Sequence, residues 1–231
     1  MAKQPATIGI LAGMGPRSTA PFVDQIVTEC QTQYGASFDE DFPPMMMYSL
    51  PTPFFVDRPI DHVRMQDVII GGLRRLEAAG ADFIVMPCNS AHRYFDALRA
   101  AVRVPLLNMV DEASVCLGDA ESRMALIGTR PTVEAGMYQR AIERRGQRLI
   151  HDGSVQSRVD ELILSIKSSR DMSGAQALWD QLQIDVMAKG ADTFLIACTD
   201  LDAINLETAA TVVNATQCLA AAAVREWMAR R

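Results

Sequence analysis

Short apolar blocks alternate along this chain with longer stretches whose apolar residues recur at helical spacing. Thr7-Ile8-Gly9-Ile10-Leu11-Ala12 reads as a buried strand, and Gly13-Met14-Gly15-Pro16 as the turn that ends it. A helix over 18–34 follows, with Phe22, Ile26 and Val27 on its apolar side. A strand over 45–50 contains Met45-Met46-Met47, most simply a buried run. A proline-rich loop, Pro51-Thr52-Pro53-Phe54-Phe55-Val56-Asp57-Arg58-Pro59, leads to a helix reaching about 79. A strand at 83–87, a helix from about 90 and a short strand over 104–108 come next. After a linking helix the order restarts with a strand over 123–128. Then come a helix over 133–145, a strand over 148–151, helices over 156–168 and 174–189, a strand over 193–197 and another over 211–214. A helix to about 230 closes the chain.

Two stretches share one design. Gly80-Ala81-Asp82-Phe83-Ile84-Val85-Met86-Pro87-Cys88 and Gly190-Ala191-Asp192-Thr193-Phe194-Leu195-Ile196-Ala197-Cys198 both open on Gly-Ala-Asp and close on a cysteine followed by small polar residues. The two cysteines lie 110 residues apart. Alternating strands and helices predict parallel sheets flanked by helices. The restart predicts two similar α/β lobes related by internal pseudo-symmetry. Residues 1–104 with 212–231 are expected to form the first lobe and 105–211 the second. Ligands of open α/β sheets bind beyond the carboxyl ends of the strands. Both cysteines and both strand-ending turns lie at such ends, so the active site is expected in the cleft between the lobes.

Composition narrows the function. Of the 231 residues 49% are apolar and 22% charged, an ordinary globular balance, and no apolar run is long enough to cross a membrane. Met1-Ala2-Lys3-Gln4-Pro5 has no signal-peptide character, so a cytoplasmic location is expected. A net charge of −6 argues against a nucleic-acid partner, and five cysteines against a disulfide scaffold. The three histidines, His62, His92 and His151, have no metal-ligand spacing, so no metal is expected. Gly13-Met14-Gly15-Pro16-Arg17-Ser18 has Ser18 where a dinucleotide loop needs its third glycine, and reads as a small-anion loop.

Cys88 and Cys198 each stand where a strand hands over to a helix, whose N-terminus favours a thiolate. Cys30, Cys116 and Cys218 fall within helical stretches and read as packing residues. Inverting a stereocentre by proton exchange needs a base on one face of a carbon and an acid on the other. Two thiols in similar environments can exchange those roles, which a duplicated fold supplies.

Cys88-Asn89-Ser90-Ala91-His92 and Ala197-Cys198-Thr199-Asp200 resemble the paired signatures of the aspartate/glutamate racemases. Gly13-Met14-Gly15 resembles that family's first glycine turn. Asp57-Arg58 and Lys167 resemble the groups by which aspartate racemases hold the side-chain carboxylate. The resemblance spans nearly the whole chain. It implies two Rossmann-like lobes, a homodimer, racemisation of aspartate with glutamate as a further candidate substrate, and catalysis by Cys88 and Cys198 without pyridoxal phosphate or metal. It further implies that Asn89, Ser90, Thr129 and Thr199, with backbone amides near Met14, hold the α-carboxylate and ammonium. Ala12 and Ala197 stand where glycine is common, and Asp200 stands where glutamate is usual.

Other readings attach to the same residues. Lys167 at a helix end also suits the helix dipole, and Asp57 could simply pair with Arg58. His92, one turn beyond Cys88, is a candidate helper for thiolate formation or substrate binding. A glutamate or hydantoin racemase, a maleate cis–trans isomerase using one thiolate as nucleophile, and a non-catalytic amino-acid-binding protein remain alternatives. Val68-Ile69-Ile70 and Ala220-Ala221-Ala222-Ala223 suit a dimer interface or core packing equally.

Overall fold

The computed structural model describes residues 5–54, 59–118 and 121–231. They fall into two compact units. The first comprises residues 1–109 and 219–231, the second 110–218.

In the first unit β1 (Ile8–Ala12) is wholly buried and lies parallel to both its neighbours. Helix α1 (Thr19–Tyr34) buries Phe22, Ile26 and Cys30, four residues apart, and ends at Gly35 with φ +74°. β2 (Met45–Ser49) pairs with β1 from Ile8 opposite Met45 to Ala12 opposite Ser49. Helix α2 (His62–Ala79) starts under the Asp61 side chain, which accepts the Arg64 N–H at 3.0 Å. Its buried stripe of Met65, Ile69, Leu73 and Leu76 packs with Leu11, Leu50 and Ile84. β3 (Phe83–Val85) completes the order β2-β1-β3. A 3-10 turn (Ser90–Tyr94) and α3 (Phe95–Ala100) follow, and α4 (Met109–Cys116) carries the chain into the second unit.

That unit repeats the scheme around β4 (Arg123–Gly128). Helices α5 (Arg130–Glu134) and α6 (Met137–Arg144) lead to β5 (Arg148–Leu149). Helices α7 (Gly153–Ser168) and α8 (Ser173–Ala188) precede β6 (Thr193–Ala197). β7 (Thr211–Asn214) extends a parallel sheet ordered β5-β4-β6-β7. Val159, Leu162 and Ile166 of α7 pack with Trp179, Phe194 and Ile196, and Trp179 meets Phe194 edge-on at 5.4 Å between ring centres. Helix α9 (Ala215–Met228) then returns to the first unit, where the Trp227 indole N–H donates to the Ala6 carbonyl at 3.0 Å.

The Gly-Ala-Asp repeats have a physical reason. Gly80 and Gly190 end helices at φ +99° and +96°, where a side chain would be strained. The alanine N–H groups then bond back to Leu76 and Val186. The aspartates clamp the start of each central strand. Asp82 donates its N–H to the Thr7 carbonyl and accepts the Thr7 N–H on its carboxylate at 2.7 Å. Asp192 does the same with Arg123, at 3.0 Å in both directions. Burial would push the Asp192 carboxyl up, but the Arg123 amide and guanidinium outweigh it and hold it below the usual carboxylate range.

Four expectations change. The unit boundaries fall at 109/110 and 218/219, beyond 104/105 and 211/212, because the strands flanking them pair inward. Leu106 bridges to Ile84, and β7 pairs with β6. Residues 104–108 form only that single bridge, since Pro105 offers a carbonyl to the Ile84 N–H but has no N–H of its own. The helix expected over 133–145 is broken at Gly136, φ +66°, into α5 and α6. Met45-Met46-Met47 is not a buried run: β2 lies at the sheet edge and Met47 is 52% exposed. Ile69, Ala220, Ala222 and Ala223 are buried within the first unit, so core packing accounts for them.

Candidate active site

The first unit holds Cys88 just past the end of β3, with its side chain buried. Its N–H donates to the Met86 carbonyl at 2.8 Å, a tight turn that brings the thiol to 3.7 Å from the Ser90 hydroxyl. Asn89 is buried beside it and Ser90 partly so. His92, 3% exposed, is tied at both ring nitrogens to backbone. Nδ1 lies 2.9 Å from the Cys88 carbonyl, which can only accept, and Nε2 receives the Met109 N–H at 3.1 Å. The ring is therefore the neutral tautomer with its proton on Nδ1. It stacks on Phe95 at 5.8 Å. His92 thus links the Cys88 carbonyl to the amide of Met109.

Met14 follows Gly13, whose φ of +91° and closeness to Leu50 exclude a side chain: a Cβ there would lie 2.6 Å from the Leu50 amide nitrogen. The Gly13 N–H donates to Thr19 Oγ1 at 3.2 Å, and Ser18 Oγ donates to the Gly15 carbonyl at 2.8 Å. This turn stands at the carboxyl end of β1, directly beside β3 in the sheet. Arg58 and Asp57 lie outside the described residues.

In the second unit Cys198 directly follows β6 and is buried. Its thiol donates to Asp200 Oδ2 at 3.7 Å. The same oxygen receives the Lys167 ammonium at 2.6 Å, from the last turn of α7. The Asp200 side chain is 7% exposed and that of Lys167 29%. A carboxylate only accepts, so in this contact the thiol is the donor. Thr199 is buried next to it. Thr129, at the carboxyl end of β4, shares a hydrogen bond of 2.9 Å with Thr132. No long helix follows either thiol at once: each leads into a five-residue 3-10 turn, Ser90–Tyr94 or Thr199–Ala203. The dipole expected to favour a thiolate is correspondingly small, because it grows from aligned peptides over successive turns.

Two residues escaped the sequence reading. Gln156 interrupts the apolar stripe of α7, and its Nε2 donates to the Gly128 carbonyl at 3.2 Å and to Asp160 at 2.7 Å. A polar residue inside such a stripe was the available signal. Asp202 accepts from Asn214 Nδ2 at 2.7 Å, joining the turn after Cys198 to the end of β7. Among the described residues no group of three or more His, Cys, Asp and Glu is placed to hold a metal ion.

The sequence matches the Asp/Glu/hydantoin racemase family over residues 11–223. The chain belongs to that family. It is 42% identical over 224 residues to the broad specificity amino-acid racemase RacX of Bacillus subtilis (strain 168), covering 96% of this chain and 98% of that one. Two solved structures share the family fold. Picrophilus torridus aspartate racemase aligns at a TM-score of 0.81 and 24% identity, over 96% of this chain and 94% of its own. The Bacillus anthracis glutamate racemase isoform RacE1 aligns at 0.68 and 15% identity, over 97% of this chain and 82% of its own. At those identities the likeness speaks for the two-lobed α/β architecture alone. Among the described residues no helix is long and apolar enough to cross a membrane.

Proposed function

We propose that this protein is a cofactor-independent racemase of α-amino acids, aspartate among them, working by two-base proton exchange between Cys88 and Cys198. One thiolate removes the α-proton and the other thiol returns a proton to the opposite face of the carbon. The reverse reaction exchanges the roles. Asn89, Ser90, Thr129, Thr199 and the amides near Met14 are assigned to the α-carboxylate and ammonium.

One observation carries this reading. In a chain of the racemase family, the same Gly-Ala-Asp clamp and parallel strand occur in each unit, and each delivers a buried thiol near the strand's carboxyl end. The partners of the thiols fit the two roles. The Ser90 hydroxyl can donate to a Cys88 thiolate, and the Asp200 carboxylate holds the Cys198 proton. With the L- or D-substrate selecting which thiol acts first, either direction of reaction is open.

The test is chiral chromatography of single enantiomers incubated in D2O without added cofactor. Wild type is expected to interconvert enantiomers and to place deuterium at Cα. Cys88→Ala and Cys198→Ala are each expected to lose racemisation by about a hundredfold or more, while deuterium exchange that retains configuration survives in one enantiomer. Wild-type racemisation by either variant would refute the two-base assignment.

A further inference from the structure

His92 and Asp202 each stand four residues past a cysteine of the proposed pair. Each ties the turn that carries its thiol to the point where a flanking strand hands over to a helix. In the first unit His92 Nε2 receives the Met109 N–H at 3.1 Å, at the start of α4, while Nδ1 donates to the Cys88 carbonyl at 2.9 Å. In the second unit Asp202 Oδ1 receives the Asn214 Nδ2 at 2.7 Å, at the residue before α9. We propose that His92 and Asp202 are equivalent positioning residues, each fixing one thiol for its own half of the proton exchange. This deepens the two-base reading above and rests on it.

The equivalence shows in the strand register. Ile84, four residues before Cys88, bridges Leu106, two before Asn108. Phe194, four before Cys198, pairs with Val212, two before Asn214. The same offsets on both sides of the pairing put each tie at the same place in its unit. Each thiol leads into a five-residue 3-10 turn. Such a turn has poorer hydrogen-bond geometry than an α-helix, so its own backbone holds it less firmly. A side-chain bond from the turn to the neighbouring strand end supplies the anchor. Both anchors offer a donor, a backbone N–H at Met109 and a side-chain amide at Asn214, so an imidazole nitrogen and a carboxylate serve alike as acceptors. Asn214 is itself locked in place: its Oδ1 accepts the N–H groups of Thr216 and Gln217 at 2.9 and 3.4 Å, capping α9. Proton transfer to carbon depends steeply on where the thiol stands, and a displacement of about 1 Å can cost about a hundredfold.

The experiment follows deuterium exchange at Cα of single enantiomers in D2O, in backgrounds that keep one thiol. Cys88→Ala leaves the half-reaction of Cys198, and Cys198→Ala leaves that of Cys88. Adding Asp202→Ala is expected to slow exchange about tenfold or more in the Cys88→Ala background, and to change it by less than about twofold in the Cys198→Ala background. Adding His92→Ala is expected to give the reverse pattern. Asp202→Asn, whose side-chain carbonyl still accepts from Asn214, is expected to restore the exchange that Asp202→Ala loses. A general loosening of the protein slows both backgrounds together, so equal slowing overturns the proposal, as does no slowing. The Asp202 arm decides even if His92→Ala does not fold. A second readout needs no turnover: iodoacetamide labelling of protein with both thiols present, followed by mass spectrometry of the cysteine peptides. Asp202→Ala is expected to change the labelling rate of Cys198 relative to Cys88 by about threefold or more, and an unchanged ratio overturns the proposal. Absence of exchange in both single-thiol backgrounds would instead defeat the two-base reading, and the labelling ratio would still decide the positioning.

Discussion

His151 follows β5 with its Nδ1 buried and without a hydrogen-bond partner among the described residues. Burial pushes its pKa below the ordinary histidine value, while neighbouring Asp152 pulls the other way, Arg130 adds to the depression and Asp160 opposes it. An unfolded chain would protonate this histidine near its usual pKa of about 6.5, and the folded chain only at lower pH. Between those two points the unfolded state binds more protons, so stability falls as pH falls. The urea midpoint of wild type is therefore expected to drop between pH 7.5 and 5.5. His151→Asn is expected to flatten that part of the profile; an identical slope in the variant would assign the loss to other groups. At this scale the sequence was legible where a residue's meaning was local. Cys88 and Cys198 stood out because their surroundings repeat. The pairing of Lys167 with Asp200 did not, because the two lie 33 residues apart and only folding brings them together. The contact of His92 with Met109 was equally hidden: its spacing from Cys88 is local, but its hydrogen bond to a backbone amide 17 residues on is not.

Elements are set here by glycines as much as by apolar stripes. At Gly13 the left-handed backbone and the nearness of Leu50 act together, and the Leu50 N–H also bonds to the Ala12 carbonyl at 2.9 Å. Gly13→Ala is expected to cost about 1–3 kcal/mol in chemical denaturation, and to lower racemase activity more than a surface Gly→Ala change such as Gly71→Ala. Gly71 lies in α2 with open space around its Cα, and there alanine favours the helix. Equal losses at the two positions would show that the turn carries no special constraint. The strands and most helices were readable because their periods are regular. The break at Gly136 was missed because a glycine within a periodic pattern can be tolerated or can end a helix. The edge position of β2 was missed because three methionines in a row carry no alternation to separate a covered face from an open one.

The whole molecule has one buried tryptophan in each unit, Trp179 in the second and Trp227 in the first. Each can report on its own unit once the other is replaced by phenylalanine. Leu162→Ala, in the core around Trp179, is expected to remove about 2–5 kcal/mol and to lower the denaturation midpoint read by Trp179. If the midpoint read by Trp227 falls by the same amount, the units unfold as one cooperative body. A shift seen only at Trp179 would make them thermodynamically separate. The two-unit plan was legible from the restart of the strand order, but its boundaries depend on which neighbour each flanking strand chooses. Helix α9 has a consequence for the order in which the molecule is made. Leu219, Val224 and Trp227 belong to the first unit's interior, yet they are synthesised after every residue of the second. On the ribosome the later unit therefore has its full complement of residues first. The earlier one waits with an open flank, including the Ala6 carbonyl that the Trp227 indole will cap, until translation delivers the helix that closes it.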